Sequence, residues 1–203
     1  MAFVDGGGSD GCPTREETSM LDRQAAWNLL REWTQSEALR RHALGVETAM
    51  RAMAGKYGQD AELWGLTGLL HDFDYERYPQ APDHPTKGGE LLLAAGYPEE
   101  MVTAILGHAE YTGVRRETLL AKSLFACDEL TGFLFACAYV QPDKKIASVR
   151  PESAKKKLKD KSFARGVNRE DILNGVQDLG LDLLEHITFV RDALAGKAKE
   201  LGL

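Results

Sequence analysis

The adjacent pair His71–Asp72 closes an otherwise apolar stretch, LWGLTGLLHDFDY. Two metal-competent polar side chains at the inner end of a leucine-rich helix need partners, because burying them unpaired is expensive. A helix end surfacing into solvent, with His71 against the helix dipole, would by itself account for the pair. Two further residues change the balance. His42 falls on the apolar stripe formed by Leu39, Val46, Ala49, Met50 and Met53, three residues after Leu39 and four before Val46, so it points inward. Asp128 shares a helical face with Leu124, Thr131 and Phe135 in the run SLFACDELTGFLFA. A lone inward histidine is commonly a satisfied core residue, whereas an inward aspartate is rarer and demands a cation or hydrogen-bond donors. Together these residues supply mixed imidazole and carboxylate ligands suited to a transition metal or to Mn or Mg.

The order His42, then His71–Asp72, then a distant Asp128 resembles the pattern of the HD superfamily, over roughly residues 36–140. The resemblance implies an all-α, single-domain helical bundle holding a divalent metal on those four residues. Two more histidines resemble ligands of the binuclear, HDIG-like branch: His84 in DHPTKGGELL and His108 at the end of MVTAILGHAEY. The carry-over puts His84 and His108 on a second metal with Asp72 bridging. On the residues alone, His84 reads equally as a loop histidine and His108 as a helix-cap charge. Cofactor expectations are therefore one or two divalent ions per chain, drawn from Mn, Fe, Mg, Co, Ni or Zn. Where that branch often carries a lysine after the His–Asp pair, this chain continues Phe73-Asp74-Tyr75-Glu76, and the doubled histidine is here His108-Ala109. Both departures disfavour a cyclic-dinucleotide phosphodiesterase of the HD-GYP kind. The fifth histidine, His186, sits beside Leu183, Ile187 and Val190 and reads as a core residue.

The resemblance implies hydrolysis of a phosphate ester, a phosphomonoester or nucleotide, by a metal-activated hydroxide; the candidate catalytic carboxylates are Asp72 and Asp74. Asp74 enters by proximity, as general acid–base or as support for a ligand. The alternative is an HD-type diiron oxygenase acting on a small polar or phosphonate substrate, since four histidines and two aspartates serve both chemistries. A non-catalytic HD signalling module is a third reading, disfavoured because such modules lose the ligands.

The basic segment KKKLKDKSFARGVNR, Lys155 to Arg169, has two readings. One is a solvated helix face followed by a turn at Gly166. The other is a phosphate-binding wall, with Lys161, Arg165 and Arg169 as substrate-binding residues. The stretch Tyr75–Asp83, rich in proline, is a candidate lid.

Apolar spacing is helical nearly throughout, with no run of alternating β-branched residues. Caps bracket the helices: Ser19 or Asp22 for the first, Ser36 to Gly58 for the second, and Asp60 to His71–Asp72 for the third. A loop over 74–85 leads to a helix capped by Thr86, then one from Pro98 to His108 and a long one from Arg116 to Tyr139. Three more follow at about 151–160, 169–179 and 182–200. Residues 1–19 are glycine-rich and aperiodic and are expected to be a disordered tail, ahead of a helical domain over 20–203; Met20 is an alternative natural start.

Of 203 residues, 43% are hydrophobic and 28% charged, the composition of a folded globular protein. A net charge of -6 argues against nucleic acid or an anionic membrane as a partner, and the local basic segment fits an anionic small molecule. Three cysteines without paired spacing argue against a disulfide framework, and the apolar stretches are too short to span a bilayer. A cytoplasmic location is the expectation.

Overall fold

The computed structural model describes residues 22–203, so the expectations for the 1–19 tail lie outside the described residues. The described residues form ten α-helices and no strand: α1 (Arg23–Trp33), α2 (Glu37–Tyr57), α3 (Ala61–Leu70), α4 (Asp83–Ala94), α5 (Glu99–Gly107), α6 (Leu119–Tyr139), α7 (Pro151–Lys157), α8 (Arg169–Asp178), α9 (Leu183–Gly196) and α10 (Ala198–Leu201). None of them is long and apolar enough to cross a membrane.

The caps of the first three helices act as their residue types require. Asp22, Ser36 and Asp60 each accept a backbone N–H of the following turn, and α2 stops at Gly58. Four boundaries differ from the sequence expectation. Helix α4 starts at Asp83, before Thr86, but His84 and Pro85 within it are non-helical. A residue preceding proline is pushed out of the α region, and His84 accordingly has ψ 138°. Helix α6 starts at Leu119, because Thr118 accepts from the Ala121 N–H and caps it there. Helix α7 ends at Lys157, and the expected last helix is split at Lys197 into α9 and α10. Gly196, which has little helix preference, sits at that break.

Helix α6 is the centre of the bundle, packing on α2, α3, α5, α8 and α9. Its Leu124, Leu130, Phe133 and Leu134 are buried, as are the free thiols of Cys127 and Cys137. The most extensive helix–helix packing is between α2 and α3. At Gly68 an added Cβ would lie 2.8 Å from the Val46 carbonyl oxygen and 2.9 Å from the Glu47 nitrogen, so only glycine lets the two backbones meet. At Gly175 an added Cβ would lie 2.6 Å from the Ala126 Cα, which fixes how near α8 runs to α6. Glu47, itself buried, accepts from Arg23 and Arg51 and so links α1 to α2, while Arg51 pairs with Glu62 at the start of α3.

The chain leaving α3 is pinned at several points. Thr34 donates to the Phe73 carbonyl inside the core, and Glu76 accepts the Gln35 and Ser36 N–H groups. Arg77 lies over the Trp33 ring and donates to the Glu32 carbonyl. The Tyr75–Asp83 stretch is thus anchored at its N-terminal end on the α1–α2 junction, an attachment a freely opening lid would lack.

Gly68→Ala tests the α2–α3 contact. Overpacking of this kind costs about 1–3 kcal/mol, so a thermal melt should show a loss on the order of 5 °C. An unchanged melting temperature would mean that the helices can part there at no cost.

Candidate metal centre

His71 is the C-cap of α3, fully buried, and its Nδ1 lies 2.8 Å from the Gly68 carbonyl. A carbonyl only accepts, so Nδ1 carries the hydrogen and Nε2 presents a lone pair. That Nε2 has no hydrogen-bond partner, yet it faces Asp128 Oδ1 at 3.3 Å and Asp72 Oδ2 at 3.4 Å. A buried lone pair aimed at two carboxylates is repulsive unless a proton or a cation lies between them.

The same arrangement recurs twice. His108, the C-cap of α5, donates from Nδ1 to the Ile105 carbonyl, and its Nε2 stands 3.3 Å from Asp72 Oδ1. His84 donates from Nδ1 to Asp74 Oδ1 at 2.8 Å, and its Nε2 stands 3.2 Å from the same Asp72 oxygen. His42, on α2, brings Nε2 to 2.9 Å from Asp128 Oδ1. Imidazoles that spend Nδ1–H on an outer acceptor and turn Nε2 inward have the usual preparation of metal-binding histidines.

The donor atoms fall into two groups, His42–His71–Asp128 and Asp72–His84–His108, with the atoms in each within 4.8 Å of one another. Asp72 belongs to both by geometry: Oδ1 faces the second group and Oδ2 faces His71 of the first. Six residues from five parts of the chain therefore converge, and their imidazole and carboxylate chemistry fits a pair of divalent cations.

Electrostatics carry the same message. Burial by itself would lower the His71 imidazole, but the charges of Asp72 and Asp128 outweigh it and raise it well above the ordinary range. Burial likewise opposes protonation of His84, yet hydrogen bonds to Asp72 and Asp74 lift it to about 9. Burial would raise Asp72 and Asp128, but His71 and the neighbouring imidazoles hold both well down. Without a cation the cluster draws protons to fill its place.

The groups open onto a cavity of about 410 Å³. Besides the ligand candidates it is lined by Leu39, Tyr75, Tyr111, Phe125, Glu129 and Asp171, among others. Burial first, and then the charge of Asp128, pushes Glu129 up to about 8; burial also raises Asp171.

Two sequence expectations change here. Asp74 is fully buried and does not line the cavity. One oxygen accepts from His84 and the other from the Gly88 N–H at 2.8 Å, so it orients His84 and has no face left for proton transfer to a substrate. Lys161, Arg165 and Arg169 do not line the cavity either. Arg169 turns back on its own loop, donating to the carbonyls of Asp160, Phe163, Ala164 and Val167, while Lys161 and Arg165 are exposed. His186 is buried and donates to the Ala126 carbonyl at 3.0 Å, away from both groups.

Comparison with known families gives a match to the HD domain over residues 39–132, a span holding all six converging residues. Residues 39–132 form an HD domain. Searches of curated proteins and of solved structures return no match.

Outside the six, the HD domain and its C-terminal neighbour α8 supply groups that the sequence pattern did not reveal. Tyr111 donates to the His84 carbonyl at 2.6 Å, the carbonyl that the following proline turns out of the helix. Glu129 follows Asp128 directly, and Asp171 sits in the first turn of α8, where an acid reads as a partner of the helix dipole. Neither position carries a periodicity signal of its own.

Asp74→Asn keeps the shape but lets the amide donate to His84 Nδ1, which moves the imidazole hydrogen to Nε2. Affinity at the second group, measured by chelator competition, should fall by about 10–100-fold. Unchanged affinity would show that Asp74 does not set the tautomer.

A pH dependence follows for the metal-free protein. Folding raises His71 and His84, so their stabilisation is complete below the ordinary histidine value of 6.5; the His84 share is lost as pH rises through about 9, and the His71 share falls in the same direction. Melts of chelator-treated protein should fall over that window, while added divalent metal, which needs neutral imidazoles, should stabilise more as pH rises. A metal-free melting curve flat from pH 6 to 9 would contradict this.

Proposed function

We propose that this HD domain hydrolyses a phosphate ester, using two divalent cations held by His42, His71 and Asp128 and by His84 and His108, with Asp72 shared between them. The observation that carries the reading is the division of Asp72: its two oxygens face two separate sets of inward imidazole nitrogens. The HD family as a class points to metal-dependent hydrolysis, and the cavity over the groups is large enough for a small ester.

Bound divalent cations would lower the pKa of a water toward neutrality and neutralise charge growing on phosphoryl oxygens. The chain's own contribution is positioning. The Gly68 and Ile105 carbonyls and the Asp74 carboxylate fix three ring orientations before anything binds. Tyr111 holds the backbone at His84, and Leu39 and Phe125 supply apolar wall that limits water at the reacting groups. Because the basic segment is elsewhere, neutralisation of a phosphoryl group would fall to the cations themselves.

The same six ligands would also suit a diiron oxygenase, so the deciding experiment measures both chemistries on one preparation. Protein loaded anaerobically with Mn or Fe should release phosphate from a panel of phosphomonoesters and nucleotides and consume no oxygen with them. Oxygen uptake without phosphate release would replace hydrolysis by the redox reading. The His84→Ala, His108→Ala double variant should keep one ion and lose measurable turnover; retained turnover would mean that a single ion suffices.

A further inference from the structure

Beyond the ligand candidates, the lining of the cavity is largely apolar. Leu39, Tyr75, Pro79, Ala81, Tyr111 and Phe125 contribute to it, and among the described residues no lysine or arginine does. Glu129 and Asp171 line it too, and an acid, protonated or not, offers no positive charge. Two of the rings are held against one ligand candidate, His84. Tyr75 meets the His84 ring edge-on with centroids 5.1 Å apart, and Tyr111 donates its hydroxyl to the His84 carbonyl at 2.6 Å. Both tyrosines are thereby positioned, yet Tyr75 is 39% and Tyr111 56% exposed. Exposed apolar side chains scattered singly are ordinary, but two held rings opening on one cavity leave apolar area that a ligand can cover.

An ester whose phosphoryl group lies at the cations places its alcohol portion against this lining. The groups nearby that could greet an anion are already committed. The Tyr111 hydroxyl is held by His84 and the Gly88 N–H by Asp74. Arg116, whose guanidinium lies 3.6 Å over the Phe125 ring, donates to the Gly107 carbonyl and pairs with Glu110 and Asp178. An anionic group in the alcohol portion would therefore give up water and gain no counter-charge. A second phosphoryl group meets the same difficulty, because sites for polyphosphates answer the added charge with lysine, arginine or backbone N–H groups. An uncharged body with an apolar face has no such cost, and it covers the two tyrosine rings.

We infer that Tyr75 and Tyr111, with Leu39 and Phe125, form a subsite for an uncharged body with an apolar or aromatic face, so that the preferred substrate is a monoester with one phosphoryl group and no second anionic group. The inference rests on the hydrolytic reading above for the phosphoryl half alone. The four side chains set specificity in it; they take no part in bond breaking.

The test compares three monoesters: benzyl phosphate, 4-carboxybenzyl phosphate, which adds one anion to the same body, and glycerol phosphate, which has no apolar face. Ligand-observed NMR titration of protein loaded with diamagnetic Zn gives affinities independently of turnover, and phosphate release by the Mn-loaded protein gives kcat/KM. Benzyl phosphate should bind about tenfold or more tighter than either of the others, a gap equivalent to about 1.4 kcal/mol. Its advantage over glycerol phosphate should shrink in Tyr75→Ala, and its advantage over the carboxylate should shrink in Asp171→Lys, which supplies the missing positive charge. Each variant is checked for unchanged metal content and melting temperature. Equal affinity for benzyl and 4-carboxybenzyl phosphate, or a preference for glycerol phosphate, would overturn the subsite, as would advantages that survive both substitutions. The comparison on the unaltered protein decides even where a variant fails to fold. Selective binding of benzyl phosphate without turnover of any ester would leave the subsite standing and remove the hydrolytic reading. Turnover of all three without preference would do the reverse, and no binding by any of them would remove both.

Discussion

The organising constraint of this structure is the half-buried Asp72 carboxylate, with an imidazole nitrogen facing each of its oxygens. Three of the surrounding histidines have already donated Nδ1–H outward, to the Gly68 carbonyl, the Ile105 carbonyl and the Asp74 carboxylate. Their inner nitrogens are left as lone pairs within 3.2–3.4 Å of carboxylate oxygens. Lone pairs and carboxylates do not attract one another, so the arrangement is stable only with positive charge in its middle. Protons can serve, which is why His71 and His84 rise and Asp72 and Asp128 fall in affinity for hydrogen ion, but divalent cations serve better and match the donor types.

Much of the fold can be read as the means of holding that centre still. Helix ends do the positioning: His71 and His108 are both C-caps, and each donates its ring Nδ1–H to a carbonyl within its own last turn. Gly68 lets α3 lie directly on α2, so His71 and His42 meet with ring centroids 5.2 Å apart. His84 lacks a helix to hold it, and three contacts substitute: Asp74 on its ring, the Gly88 N–H on the far oxygen of Asp74, and Tyr111 on its carbonyl. Position 88 has no room for more than glycine, since an added Cβ would lie 2.7 Å from the Asp74 carboxyl carbon.

How much of this is legible in sequence depends on whether a residue's role leaves a local trace. His42 and Asp128 are readable because each interrupts an apolar stripe, and the first three helices because their caps are strong. His84 is harder: a pre-proline residue in a proline-rich stretch looks like loop, and only the family pattern links it to His108. Asp74 is nameable by proximity, but its work as an acceptor on His84 depends on a contact ten residues away that no periodicity encodes. The basic segment misleads for a different reason. Arg169 looks like a phosphate ligand on charge, yet five donors on one guanidinium can equally satisfy the carbonyls of a turning loop, and here they do. Glu129 is hidden by its neighbour, and Asp171 by its ordinary place at a helix start.

The claim on which the rest depends is that Asp72 lies between two cation positions. Crystals grown with Mn and measured for anomalous scattering test it directly. Two peaks per chain are expected, one among His42, His71 and Asp128 and one between His84 and His108, with Asp72 reaching both. A single peak at the first group, with Asp72 Oδ1 contacting no metal under saturating Mn at pH 8, would contradict it.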